Sequence, residues 1–87
     1  MKPVSLLEFP CDFPLKIMGP SAADFAGTIA AVVSRHDPDF DAAAIEQRAS
    51  KAGTYLSLTC TVRAVSQQQL DALYQDLTAH PMVRVVL

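Results

Sequence analysis

Two stretches of the chain alternate between apolar and polar residues with a period of two. In residues 11–18 the odd positions are apolar and share one face, while the even positions share the other. Residues 54–63 repeat this pattern more clearly, with four apolar residues facing a mainly polar set. Such alternation predicts half-buried strands of an antiparallel sheet with one wet face. Pro14 cannot donate to a strand ladder, so we expect it near the strand start or at an unpaired position.

Two other stretches have the spacing of an amphipathic helix. The first is predicted to begin at the N-cap Ser21, with Asp24 forming a near capping box, and to end before Pro38. The second is predicted to begin at Ser66, with Gln69 closing the capping box, and to end at residues 79–81. Their apolar stripes comprise Ala22, Phe25, Ala26, Ile29, Val32, Val33 and His36 in the first helix, and Leu70, Leu73, Tyr74 and Leu77 in the second.

The remaining segments complete a β-α-β-β-α-β order. We interpret residues 42–49 as a strand because the following strand needs a partner, although their alanines also favour helix. Residues 50–53 form a predicted hairpin turn, with Gly53 available for positive φ, and residues 82–87 a final strand. This order predicts an α+β, ferredoxin-like sandwich with a four-stranded antiparallel sheet and two helices on one face. Residues 1–10 are predicted to be an N-terminal arm and residues 11–87 a single domain.

Composition and charge narrow the functional classes. The chain has 87 residues, 51% of them hydrophobic, and a net charge of −2. A weakly acidic domain has no general attraction for nucleic acid or for an anionic membrane. We find no apolar run long enough to cross a membrane and no export signal, so we expect a cytoplasmic protein. Cys11 and Cys60 are too far apart for a CxxC motif, and a structural disulfide is not expected in a reducing compartment.

No catalytic or cofactor motif is recognisable. Asp37, Asp39 and Asp41 resemble the first half of a calcium loop, but Arg48 stands where the loop needs a bidentate glutamate. The two histidines and two cysteines do not have the spacing of a metal site, and we predict no metal and no cofactor. His36 and His80 lie at predicted helix ends, where an imidazolium interacts favourably with the helix dipole. Glycine-rich phosphate loops are absent from the sequence.

The uncovered face of the predicted sheet is the surface of most interest. Alternation predicts that it carries both cationic and amphipathic side chains, and an uncovered sheet face or edge is a common site of association. RNA-binding versions of this architecture stack bases on two or three aromatic residues, whereas here only Tyr55 is available. The candidate ligand or partner residues are Lys16, Met18, Tyr55, Arg63 and Arg84.

Two segments of the sequence resemble the YbeD family of small bacterial proteins. Near the N-terminus the chain has L-x-E-F-P (residues 6–10) and then K-I-M-G (residues 16–19). Near the C-terminus it has L-x-x-L-Y-x-x-L (residues 70–77) and V-x-x-V-L (residues 83–87). The hairpin region around residues 50–57 also fits this family, whereas residues 37–48 fit it least.

The resemblance implies a ferredoxin-like fold related to ACT-type regulatory domains, which bind small molecules at domain interfaces. It also implies an accessory role linked to lipoate metabolism, because genes of the family are often found beside genes of lipoate attachment. Our hypothesis is a non-catalytic regulatory or interaction module that binds a partner protein or a small ligand, with homodimer formation through paired sheets as one version. The alternatives are an enzyme or accessory protein that uses Cys11 or His36, and RNA binding through the open sheet face.

Overall fold

A computed structural model describes residues 8–87, and it has the predicted α+β architecture. The strands are β1 (Cys11–Pro20), β2 (Glu46–Ala49), β3 (Tyr55–Ala64) and β4 (Val85–Val86), and the helices are α1 (Phe25–Ser34) and α2 (Gln67–Ala79). The strands form one antiparallel sheet in the order β2-β3-β1-β4. The ferredoxin-like βαββαβ fold is therefore confirmed. The predicted arm falls largely on residues 1–7, which lie outside the described residues.

The core lies between the two helices and one face of the sheet. The inward positions of the alternating strands are buried, including Ile17, Leu58 and Cys60. The helices contribute stripes centred on Phe25 and Leu73, which are both fully buried. Burying a side chain of this size stabilises the fold by about 1.5–3 kcal/mol, so the two periodic patterns account for where the helices dock. Among residues 8–87, no helix or second sheet covers the opposite face of the sheet.

The first helix begins later than the sequence predicts. Ser21 is not its N-cap, because the Ser21 N–H donates to the Thr54 carbonyl at 3.2 Å and holds the chain beside the start of β3. A turn follows, and the helix starts after Asp24, whose side chain makes no capping hydrogen bond. The helix also ends at Ser34, ahead of the predicted boundary at Pro38.

The second helix begins as predicted, with a different role for the glutamine. Ser66 Oγ accepts the Gln69 N–H at 3.0 Å. The Gln69 side chain does not return to the backbone of Ser66. Its Oε1 accepts the Val65 N–H at 2.7 Å, and its Nε2 donates to the carbonyls of His36 and Arg63. One amide side chain therefore ties the end of β3 to the segment that follows α1.

The second and fourth strands are shorter than predicted. Residues 42–44 form a 3-10 turn, and only Glu46–Ala49 pairs with β3. The turn that follows has Gly53 at φ 74°, as its predicted role requires. In the last segment only Val85–Val86 is strand, with Val86 buried and Val85 exposed opposite Met18. The outward residue of β4 is therefore Val85, and the alternation that placed Arg84 in this strand was wrong.

Both open ends of the central strands are protected. Lys16 and Leu87 exchange two backbone hydrogen bonds, so Pro14, two residues earlier, directs its backbone nitrogen toward the edge beyond β4. The missing N–H of proline therefore leaves no ladder bond unmade.

On the other side of the sheet, β2 pairs with β3 only as far as Thr59. Beyond that point, the buried carboxylate of Asp37 accepts the Arg63 N–H at 2.9 Å. Asp37 thus takes the place of a strand partner.

No helix among residues 8–87 combines the length and the apolar character that crossing a membrane requires.

Candidate functional site

The uncovered sheet face contains a depression of about 360 Å³ where β1 and β2 flank the beginning of β3. We call it the sheet-face depression, and its lining includes Lys16, Met18, Arg48, Tyr55, Ser57 and Leu87. These side chains come from four segments, and the strand register brings them together. Arg48 of β2 lies opposite Ser57 of β3, which in turn lies opposite Met18 of β1. The depression therefore depends on the whole sheet and not on one loop.

The predicted surface residues divide into two groups. Lys16, Met18 and Tyr55 line the sheet-face depression. Arg84 lies beside it, in a second hollow of about 260 Å³ that it shares with Met18, Tyr55 and Val85. Arg63 lies at the far end of β3, where its guanidinium donates to Asp12 at 3.2 Å. The structure thus brings four of the five residues together and separates Arg63 from them.

Arg48 is a further member of the site. Sequence alternation placed it on this face only if residues 42–49 were a strand, so it was not among the five candidate residues. The structure makes Glu46–Ala49 a strand and aligns Arg48 beside the depression. The signal that could have identified it was the alternation within the second strand, since Glu46–Ala49 pairs with β3 so that Arg48 lies opposite Ser57.

The cations around the depression have no carboxylate partners. The side-chain ion pairs among residues 8–87 are His36–Asp76 and Arg63–Asp12, and residues 1–7 contain no aspartate or glutamate. Lys16, Arg48 and Arg84 therefore present charges that no acidic side chain of the chain neutralises at ion-pair distance. Glu46 lines a neighbouring hollow together with Lys16 and Arg48 without pairing with either.

The two cysteines are free thiols in different surroundings. Cys60 of β3 is completely buried in the core between the sheet and the helices, and burial raises the pKa of its thiol to about 11. A thiol with so high a pKa is a poor nucleophile at neutral pH. Cys11 is half-buried at the start of β1, where it pairs with Ala64. Neither thiol makes a hydrogen bond to a histidine among the described residues.

The histidines and the acidic loop make structural contacts. His36 Nε2 lies 2.6 Å from Asp76 Oδ2, and this contact links the segment after α1 to α2. The hydrogen bond with His36 lowers the pKa of the Asp76 carboxyl. His80 Nδ1 accepts the Met82 N–H at 3.1 Å. In the acidic loop, Asp37 bonds backbone N–H groups of Asp39 and Arg63. Within residues 8–87 no group of three or more His, Cys, Asp or Glu residues is placed to hold a metal ion.

Comparison with known proteins identifies relatives over nearly the whole chain. Residues 4–87 match the family described as "Protein of unknown function (DUF493)". A UPF0250 protein of Paraburkholderia phytofirmans is 58% identical over 83 residues, which cover 95% of this chain and 93% of the relative. UPF0250 proteins of Nitrosomonas europaea and Bordetella pertussis are 53% and 55% identical, and the matches cover 95% of this chain and 95% and 91% of the relatives. These matches agree with the YbeD-like motifs in the sequence.

Proposed function

The chain belongs to the DUF493 family of proteins of unknown function, and on that premise we propose that it is a non-catalytic interaction module. It binds a partner protein through the uncovered face of its sheet. The observation that carries this proposal is the sheet-face depression, where amphipathic side chains lie next to cations that have no carboxylate partner.

The exposed apolar residues support a protein partner. Five large apolar side chains are exposed among the described residues, and three of them, Tyr55, Val85 and Leu87, lie in or beside the sheet-face depression. Tyrosine, methionine and arginine are the residues enriched at protein interfaces, and this surface contains all three. A small ligand is usually enclosed over most of its surface, whereas the depression is open to solvent. A protein surface therefore fits it better than a small molecule.

The chemistry of the described residues gives less support to an enzyme. His36 and Asp76 resemble part of a catalytic relay, but no serine, threonine or cysteine side chain within residues 8–87 is hydrogen-bonded to His36. Cys11 lies at the start of β1 with Ala64 as its cross-strand neighbour, and among residues 8–87 neither histidine is hydrogen-bonded to it, as activation of a thiol by a histidine would require. The fold uses His36 to join its two helices. RNA binding is also less well supported, because Tyr55 is the one aromatic side chain that the described strands place on the open face.

A role beside lipoate metabolism, which the YbeD resemblance implies, stays a prediction. If it holds, the partner protein belongs to that pathway, and the surface described above is where it binds.

Affinity capture with matched surface variants tests the proposal. Wild-type protein, Tyr55→Ala and Tyr74→Ala serve as baits in a native lysate, since Tyr55 and Tyr74 are 46% and 48% exposed on opposite sides of the molecule. We expect a partner that is retained by wild type and by Tyr74→Ala and is reduced about tenfold with Tyr55→Ala, the loss typical of an aromatic interface anchor. A partner lost with Tyr74→Ala and kept with Tyr55→Ala would refute the proposed surface.

A further inference from the structure

The charges of the chain are segregated between its two sides. Of the nine acidic residues, six lie on the helices or in the segments next to them, where Arg35 is the only cation among the described residues. These six are Asp24, Asp37, Asp39, Asp41, Asp71 and Asp76. The uncovered face or its rim carries Lys16, Arg48, Arg63 and Arg84 with two acidic residues, Asp12 and Glu46, while Glu8 precedes β1 and Lys51 lies in the turn between β2 and β3. An acidic chain therefore has one cationic surface.

Within that surface, the cations nearest the depression are the ones without partners. Arg63 is neutralised by Asp12 at the far end of the sheet, whereas Lys16, Arg48 and Arg84 surround Met18, Tyr55 and Val85 without an ion pair. A partner surface complementary to this one carries an apolar side chain that can rest on Met18 and Tyr55, and carboxylates around it that can pair with the cations. Charge complementarity of this kind steers association and selects against other partners.

The same charges disfavour a second copy of the chain as the occupant. A symmetric dimer formed through this face would use the same patch on both subunits. Lys16, Arg48 and Arg84 of one subunit would then face the same cations of the other subunit. Like charges brought together at an interface oppose binding. A single-stranded nucleic acid is anionic, but Tyr55 alone offers little stacking area, and binding of that class depends on successive aromatic platforms.

We infer that the sheet-face depression binds an acidic segment of a partner protein, with an apolar side chain of that segment resting on Met18 and Tyr55 and its carboxylates next to Lys16, Arg48 and Arg84. This inference rests on the proposed function, because it names the chemistry of the partner for the same surface.

A peptide selection tests the inference directly, because it reports the chemistry that the surface prefers. A random peptide library displayed on phage is panned against the full chain, and enriched peptides are synthesised with a fluorescent label. Their affinities are measured by anisotropy for wild type, Tyr55→Ala, and the matched variants Arg48→Gln and Arg63→Gln. Both glutamine variants remove one positive charge from the same face, but only Arg48 lines the depression. A short oligothymidylate is the competing probe.

We expect enriched peptides with aspartate or glutamate next to an aromatic or aliphatic residue. Arg48→Gln should weaken their binding about three- to fivefold, the effect of an exposed ion pair, while Arg63→Gln changes it less than about 1.5-fold. Added salt should weaken wild-type binding and reduce the difference between wild type and Arg48→Gln.

The other outcomes separate the two claims. Peptides that lose affinity with Tyr55→Ala but have no acidic bias, and that bind Arg48→Gln as tightly as wild type, would overturn the acidic partner and leave the proposed surface intact. Tighter binding of the oligothymidylate than of any peptide, with loss on Tyr55→Ala, would overturn it in favour of nucleic acid. Peptides indifferent to Tyr55→Ala, or a library with no binders, would contradict the proposed function as well.

Discussion

Replacing Asp37 with asparagine removes one of the two carboxylate oxygens that accept backbone N–H groups, one at the end of β3 and one in the loop that follows α1. The two carboxylate oxygens of Asp37 have separate tasks, since Oδ2 accepts the Arg63 N–H at 2.9 Å and Oδ1 accepts the Asp39 N–H at 3.2 Å. Asparagine keeps the shape of the side chain but has one oxygen and one NH2 group. Whichever way the amide is turned, its NH2 group meets a backbone N–H, and two donors then face each other.

The size of the effect follows from burial. Asp37 is only 5% exposed, so the lost bonds cannot be replaced freely by water. A hydrogen bond to a charged group contributes about 1.5–3 kcal/mol, and a donor left unsatisfied costs about 1–3 kcal/mol. We therefore expect Asp37→Asn to lower the free energy of unfolding by about 2–3 kcal/mol, which corresponds to a fall in Tm of roughly 10–20 °C for a domain of this size.

Asp41→Asn is the matched control for urea or thermal unfolding of Asp37→Asn. Asp41 is exposed and its carboxylate accepts only the Ala43 N–H, at 3.0 Å, which the oxygen of asparagine can accept equally well. We expect this variant to lose less than about 0.5 kcal/mol. Equal losses in the two variants, or an Asp37→Asn protein as stable as wild type, would refute the view that Asp37 replaces a missing strand partner.

Three further predictions concern packing, thiol reactivity and pH. Gly19→Ala should lower the free energy of unfolding in urea by about 2–4 kcal/mol, because a Cβ there would lie 2.5 Å from the Met82 carbonyl oxygen and against the Phe25 ring. The control Gly27→Ala has open space around its Cβ and should raise the free energy of unfolding by about 0.5–1 kcal/mol. Equal effects of the two variants would contradict the close packing at Gly19. Cys60 should resist alkylation by iodoacetamide in the native protein at pH 8 and should react once urea unfolds the protein. Mass spectrometry follows the labelling, with Cys60→Ala as the control. Labelling of Cys60 in the native protein would contradict its burial. The hydrogen bond with His36 lowers the pKa of Asp76 in the folded state, so the stability that Asp76 contributes is present above its unfolded pKa and is lost as the pH falls through the folded value. As the pH falls below 3.8, wild type should therefore lose more stability than Asp76→Asn, and parallel curves would show that the contact with His36 contributes nothing.

Much of the architecture could be predicted from periodicity, because a period of two or 3.6 reports which side of an element is buried. Leu58, Cys60 and Val62 face the core as the alternation of β3 indicates, and Leu70, Leu73 and Leu77 form the buried stripe of α2. The start of α1 could not be predicted in this way. Ser21 has the chemistry of an N-cap, but a long-range hydrogen bond to Thr54 holds it beside the sheet.

The candidate site depends on pairings that local sequence does not encode. Val85 takes the outward strand position opposite Met18, whereas Arg84 lies just before β4 and still lines the hollow beside the depression. Arg63 was grouped with the site by alternation alone, which reports the face of a residue but not its position along the strand. The role of Asp37 was also hidden, since a carboxylate that replaces a strand partner looks like one more acidic residue in a loop.

Photo-crosslinking inside cells tests the central claim most directly. Benzoylphenylalanine is placed at position 55 in one strain and at position 74 in another, so that two exposed tyrosine sites are compared on opposite faces of the same protein. We predict that light produces a discrete crosslinked species with one other protein from position 55 and none from position 74. Crosslinks from position 74 alone would contradict an interaction module that binds its partner through the uncovered face of the sheet.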